Sequence, residues 1–366
     1  MRRFALPVVA ALLVGAACSS EASTNDNDSA STTTVASATY PGVEWTTADP
    51  VSVGVDPTRL DELESYLASQ NSNCMAVVKD GEIVRQAYWN DYAPDTEQEI
   101  FSATKSITST LVGIAEAEGA LDIDEPASNY ITEWQGTPSA DVTIRDLLAN
   151  VSGRFWSIGS DYGDMIRSPD KTGYSIDLSQ QFPPGETWEY NNSAIQTLDA
   201  VIERATGEDT FEFARTRLFE PIGMSSTIRQ DASGNTLTFM GAQASCLDMA
   251  RFGYLLMQQG RWGDEQVVPA EWVAEATTPS SELNAAYGYL IWLNRPGKIR
   301  LPTVGEIDGP LWRDAPPDAF AALGLGGQTV LVIPSEGIVV TRTATAGGGV
   351  SGQGNVANEM ARLLTG

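Results

Sequence analysis

The stretch "FSATKSITST" sets Ser102 three residues before Lys105, in a chain of 366 residues without a single histidine. A spacing of three puts both side chains on one face of a helix. A serine hydroxyl is a weak nucleophile until a neighbour takes its proton. The missing histidine excludes a Ser-His-Asp triad, a Cys-His pair and any His-ligated zinc or haem. Acid–base chemistry near neutral pH must then fall to Lys, Tyr, Asp or Glu with environment-shifted pKa values.

Ser-x-x-Lys is short enough to arise by chance, and it occurs twice. "SPDKTG" repeats it with Ser168 and Lys171. The two copies differ in the residues after the motif. Behind Ser102 comes a long apolar run, "KSITSTLVGIAEAEG", which predicts a helix whose positive N-terminus favours an oxyanion at the hydroxyl. Behind Ser168, Gly173 interrupts the pattern, which predicts a surface turn. Two further stretches add weight to Ser102. "FPPGETWEYNNSAIQTLDAVIERATG" places Tyr190 and Asn192 just before another apolar helix, and "LGLGGQTVLVIPSEGIVV" places Gly324–Gly327 at the start of a late hairpin.

The elements that must position these residues are set by periodicity and turn signals. "DPTRLDELESYLASQ" predicts a helix capped by Asp56, with Leu60, Leu63 and Leu67 on one stripe. "CMAVVKDGEIVRQAYW" predicts a hairpin around Asp80-Gly81, and "TVLVIPSEGIVVTRTA" a second around Pro334–Gly337. A last helix spans roughly Val356–Leu364. The middle of the chain is mainly helical by the same test. The expected fold is α/β (α+β): an antiparallel sheet assembled from both ends of the chain, flanked by N- and C-terminal helices, with an inserted helical domain. The expected division is 45–115 with 295–366 for the sheet domain and 116–294 for the insertion. A cleft between the two is the default place for a site.

The N-terminus "MRRFALPVVAALLVGAACSS" has a basic start and an apolar run too short to span a membrane comfortably, which predicts an export signal over 1–17. It resembles a bacterial lipoprotein signal, which implies lipid on Cys18 and a membrane contact through that anchor alone. Residues 18–44, rich in Ser, Thr, Asn and Asp, predict a disordered tether. Past the signal, 48 acidic side chains face 20 basic ones, a net charge of −28. Such a surface suits an external medium and repels nucleic acid. Cys74 and Cys246 remain; pairing and two free thiols both fit the sequence.

Ser-x-x-Lys, then Tyr-x-Asn, then a glycine-bearing late strand, in that order, resembles the serine β-lactamase and penicillin-recognising superfamily. "DLLANVSG", "PPGETWEYNNSA", "LFEPIGMSST" and "DMARFGYLLMQQGRWGDEQVVPAEWV" resemble its class C-like branch, nearest the nylon-oligomer hydrolase and esterase groups. The likeness runs from about residue 45 to the end. It implies a β-lactamase-like fold and an acyl-enzyme on Ser102, with Lys105 and Tyr190 sharing the proton and no cofactor. It implies an oxyanion hole from the N–H groups of Ser102 and Gln328. Asn192 would bond substrate or hold Lys105, or cap its helix. Gly326 and Gly327 would let the backbone approach the substrate. Leu325 falls where relatives carry a cation that holds a substrate carboxylate, which argues against efficient β-lactam or D-alanyl-D-alanine recognition. Trp156 and Tyr162, in "SGRFWSIGSDYGDMI", match a loop that closes over substrate in the nylon-oligomer hydrolases; core aromatics of a structural loop are the alternative. The function expected is hydrolysis of a small ester or amide. A D,D-carboxypeptidase or weak β-lactamase is the alternative, and a non-catalytic binder of cell-wall peptide or a partner the second.

Overall fold

The computed structural model describes residues 38–302, 304–345 and 353–365. The signal over 1–17, Cys18 and most of the tether lie outside these residues. The end of the expected tether is ordered. Tyr254 donates its hydroxyl to the Thr39 carbonyl at 2.7 Å, and Arg251 donates to the carbonyls of Gly42 and Val43 at 2.8 and 2.9 Å. The boundary drawn at 44 is therefore too late: Tyr40, packed edge-on to Tyr254 and Trp262, anchors a segment that is polar by composition.

Helix α1 (Pro57–Ser69) starts where Asp56 accepts the Thr58 N–H at 2.8 Å, and it buries Leu60, Leu63 and Leu67 completely. Strands β1 (Ser72–Lys79) and β2 (Glu82–Tyr88) come next, joined by Asp80 and Gly81 at φ 50° and 92°. Two positive φ values in succession give the hairpin turn that matches strand twist. The late strands are β3 (Trp292–Leu293), β4 (Gly297–Leu301), β5 (Gly305–Gly309), β6 (Phe320–Gly324), β7 (Gln328–Ile333) and β8 (Ile338–Ala344). The main sheet has the order β2-β1-β8-β7-β6-β3, antiparallel throughout. The two ends of the chain meet where β1 pairs β8, with Val77 opposite Val340. Strands β4 and β5 form a separate hairpin.

Three helices set the site. Helix α2 (Thr104–Ala117) is buried on every side from Thr104 to Ala115. Apart from Lys105, its buried polar residues are small and mostly bonded: Ser106 donates to the Leu290 carbonyl at 2.8 Å and Thr108 to the Thr238 carbonyl at 2.7 Å. Gly113 lets the Trp272 ring pack against the helix, since a Cβ there would meet it at 2.3 Å. Helix α3 (Asn192–Thr206) packs on α2. Helix α4 (Cys246–Met257) lies on the sheet, and Gly253 leaves room for Val330 and Val339. A Cys74–Cys246 disulfide, with Cα atoms 6.2 Å apart, ties β1 to the first residue of α4, so the two cysteines are paired and neither is a free thiol. Helix α5 (Gln353–Thr365) packs beside α1. No helix among the described residues is long and apolar enough to cross a membrane.

Candidate active site

Ser102 sits in a tight 3-10 turn, Phe101–Ala103, that runs straight into α2. Phe101, just before it, holds φ 48°. A left-handed Phe costs about 1–2 kcal/mol, so the surroundings impose this bend. They do so through the Ile100 N–H on the Ala242 carbonyl (2.9 Å) and the Thr104 hydroxyl on the Phe101 carbonyl (2.6 Å). Ser102 remains partly exposed, while Lys105, one turn on, is 1 % exposed. Lys105 Nζ donates to Ser102 Oγ at 2.9 Å and to the Phe239 carbonyl at 2.8 Å. Burial lowers the Lys105 pKa to about 7, with the charge of Asp161 opposing the shift. A buried lysine without a tight carboxylate partner is a base that works near neutral pH.

Tyr190 occupies the extended segment before α3. Its ring lies 4.8 Å from Lys105 Nζ, and its hydroxyl bonds Ser102. Trp188, Tyr287 and Trp292 enclose it, with Trp292 stacked at 5.9 Å. Burial among these rings drives the phenol's pKa upward; the bond to Ser102 only moderates that. Asn192 is not the helix cap. Asn191 is, accepting the Ala194 N–H at 2.8 Å. Asn192 does not bond Lys105 either: its Nδ2 donates to Asp161 at 2.8 Å, and its buried Oδ1 has no hydrogen-bond partner among the described residues. Asp161 is the unanticipated member of the site. No motif marks it; only its place in the loop with Trp156 and Tyr162 could have pointed to it.

The late glycine-rich segment needs correcting by one strand. Asn294 N–H donates to the Ala319 carbonyl at 2.9 Å, so residue 319 faces β3. Antiparallel strands alternate the direction of their N–H groups. Ala321 and Leu323 therefore face the β3 side, and Phe320, Ala322 and Gly324 face β7. β3 ends at its pair with Ala321, leaving Leu323 N–H facing outward beyond it. The same alternation turns Gln328 N–H toward its register partner Gly324, inside the hairpin, and away from Ser102. The Gln328 N–H therefore does not face Ser102, against its expected role as an oxyanion donor, while Leu323 presents an outward N–H on the free edge of β6. Gly324 lets β6 pass close to the turn before Ser102, because a Cβ there would collide with the Ile100 carbonyl. Leu325, 43 % exposed, lies in the turn beyond this edge, with Gly326 and Gly327 at φ 83° and 89°. Gly327 makes room for the Arg342 guanidinium, which bonds its carbonyl at 2.8 Å, and not for a substrate.

A cleft of about 260 Å³ opens over Tyr190, walled by Trp156, Trp188, Glu189, Arg300 and Leu301. Trp156 thus lies in the wall of the cleft beside Tyr190. Arg300 comes from β4 and faces Glu306 at 3.5 Å. Tyr162 is absent from this wall and is 47 % exposed, but its hydroxyl end lies beside Asp161 and Asn192, where desolvation pushes it up to about 12. The second Ser-x-x-Lys does not form a pair. Lys171 Nζ donates to the Ser168 carbonyl at 2.8 Å, and Ser168 Oγ to the Asp170 carbonyl at 2.7 Å. The expected plain turn is itself corrected: a short helix, Lys171–Asp177, starts there because Asp170 caps it through the Gly173 N–H.

The family model described as Beta-lactamase matches residues 63–361. The chain is 23 % identical over 321 residues to an uncharacterised protein of Alkalihalophilus pseudofirmus, covering 79 % of this chain and 88 % of that one. It is 25 % identical over 253 residues to the 6-aminohexanoate-dimer hydrolase of Paenarthrobacter ureafaciens, covering 62 % of this chain and 63 % of that one. Among solved structures, a penicillin-binding protein homologue from Caulobacter crescentus shares the fold with a TM-score of 0.64 at 15 % identity, over 87 % of this chain and 99 % of that one. Ser102, Lys105 and Tyr190 lie within the matched span, and the chain belongs to the Beta-lactamase family.

Proposed function

We propose that this chain is a serine hydrolase that cleaves a small ester or amide through an acyl-enzyme on Ser102. The observation that carries the reading is the 2.9 Å contact between Ser102 Oγ and a buried Lys105 whose pKa is lowered to about 7. Lys105 takes the Ser102 proton, because its pKa lies near 7 while that of Tyr190 is driven far above neutral. Oγ attacks the substrate carbonyl, and the tetrahedral oxyanion accepts the N–H groups of Ser102 and Leu323. As the bond to the leaving group breaks, Tyr190 passes its proton to that group and regains one from Lys105. Water then attacks the acyl carbonyl, gives a proton to the same pair, and releases the acid and Ser102 Oγ–H.

The segment 319–327, "AFAALGLGG", holds no cation at the turn or on β6. This favours an uncharged acyl group at that end and weighs against a β-lactamase or D,D-carboxypeptidase. The aromatic cleft over Tyr190 suits an apolar or extended chain. The 6-aminohexanoate-dimer relative supports an amide as well as an ester. The apolar run and small residues before Cys18 support export and a lipid anchor on the outer face of a bacterial membrane, and the disulfide fits an oxidising compartment. Hydrolysis of p-nitrophenyl esters and of short ω-amino amides, run beside binding of a labelled penicillin, tests the substrate side. Turnover without a stable penicillin adduct supports the reading; an adduct with no ester or amide turnover returns the case to cell-wall peptides.

A further inference from the structure

Asp161 is wholly buried, and its carboxylate accepts four hydrogen bonds. Asn192 N–H and Nδ2 reach Oδ2 at 3.0 and 2.8 Å; Ser193 N–H and Oγ reach Oδ1 at 2.8 Å each. All four donors belong to the first turn of α3. Burial raises the Asp161 pKa, and the bonds from Ser193 and Asn192 and the charge of Lys105 oppose that rise; a carboxylate has about four acceptor sites, so a proton on either oxygen would displace one of these bonds.

Tyr190 lies two residues before Asn192, so a grip on Asn192 and Ser193 also fixes the phenol's approach to Ser102. The carboxylate comes from the turn Ser160–Asp164, in the loop that carries Trp156 into the cleft. That loop cannot swing out without breaking all four bonds. The other ionisable groups about Lys105 are Tyr190 and, acting on Tyr190 or beside it, Tyr162 and Tyr287, all with phenol pKa values raised by burial. At neutral pH they are uncharged, which leaves Asp161 as the negative charge acting on Lys105 among the described residues.

We propose that Asp161 is a positioning residue of this site: it pins the Tyr190–Asn192 segment to the cleft loop and supplies the buried negative charge that Lys105 faces. The proposal rests on the reading of Ser102, Lys105 and Tyr190 given above. It gives Asp161 no contact with substrate.

The test compares wild type, Asp161→Asn, Asp161→Glu and Ser193→Ala. The readouts are the pH profile of kcat/KM on a p-nitrophenyl ester and the Lys105 side-chain titration by NMR on lysine-labelled protein. With four lysines in the chain, Lys105 is readily assigned. Asp161→Asn is expected to lower kcat about 10²-fold. It also removes a charge that raises the Lys105 pKa, so the acid limb and the Lys105 titration move to lower pH. Asp161→Glu restores the limb. Ser193→Ala lowers kcat a few-fold with the limb unmoved. A limb that stays in place in folded Asp161→Asn, whatever the loss of kcat, overturns the proposal, as would wild-type kcat in Ser193→Ala should Asp161→Asn not fold. Failure of the wild type to turn over any ester, or to take a fluorophosphonate on Ser102, would instead remove the underlying reading.

Discussion

The chain spells Ser-x-x-Lys twice, and the two copies have opposite fates. Ser102 continues one helical path into α2, so Lys105 lies directly over its hydroxyl, inside the protein. Ser168 ends one helix with an extended backbone (ψ 132°), and Lys171 begins the next. Across that break the lysine meets a carbonyl, and the serine hydroxyl turns to Asp170. The first lysine is desolvated and becomes a base near pH 7; the second stays partly in water. Spacing supplies the letters of the motif. Helix continuity and burial supply its chemistry.

The sharpest way to break this comparison is at the lysines. Lys105→Ala should cut kcat about 10³-fold or more, because it removes the base from beside Ser102. Next comes the edge of β6. Leu323→Pro removes one outward N–H and should cost about 10²–10³-fold in kcat while the sheet still forms. Gln328→Pro, by contrast, removes an N–H that faces the hairpin and should cost stability. Measuring kcat and thermal unfolding on both separates the two donors. In the wild type, activity depends on neutral Lys105. The rate should therefore rise about tenfold per pH unit below the value near 7 and level off above it, which a pH–rate profile reads directly. The frame that buries Lys105 is tied by the disulfide, which closes a span of 172 residues. Cys74→Ser should cost about 2–5 kcal/mol of stability, read by denaturant unfolding with and without reductant. Lys171→Ala, the control, should leave kcat within about twofold and stability within about 0.5 kcal/mol.

Much of this was legible in the letters. The leucine stripe of α1, the Asp80-Gly81 turn and the run after Lys105 are local signals, and each element formed where its signal lay. Ser102, Lys105 and Tyr190, each marked by its motif, lie within one cluster, with Lys105 Nζ 2.9 Å from Ser102 Oγ and 4.8 Å from the Tyr190 ring. What failed depended on long-range placement. Whether an N–H on the late hairpin faces Ser102 is decided by strand alternation against β3, which the glycine count around 324–327 does not carry. The two asparagines at 191 and 192 look equivalent in sequence, yet the phase of α3 makes the first the cap and hands the second to Asp161. Asp161 matters through burial, and burial of one carboxylate in a chain with 48 acids has no local signature. The end of the tether was misplaced because one aromatic, Tyr40, outweighs its polar neighbours.

The most direct test of the central claim is intact-protein mass after exposure to a fluorophosphonate, on wild type, Ser102→Ala and Ser168→Ala. The account predicts a single adduct on wild type and on Ser168→Ala, and none on Ser102→Ala. An adduct that survives in Ser102→Ala, or a wild type that never labels, would contradict it.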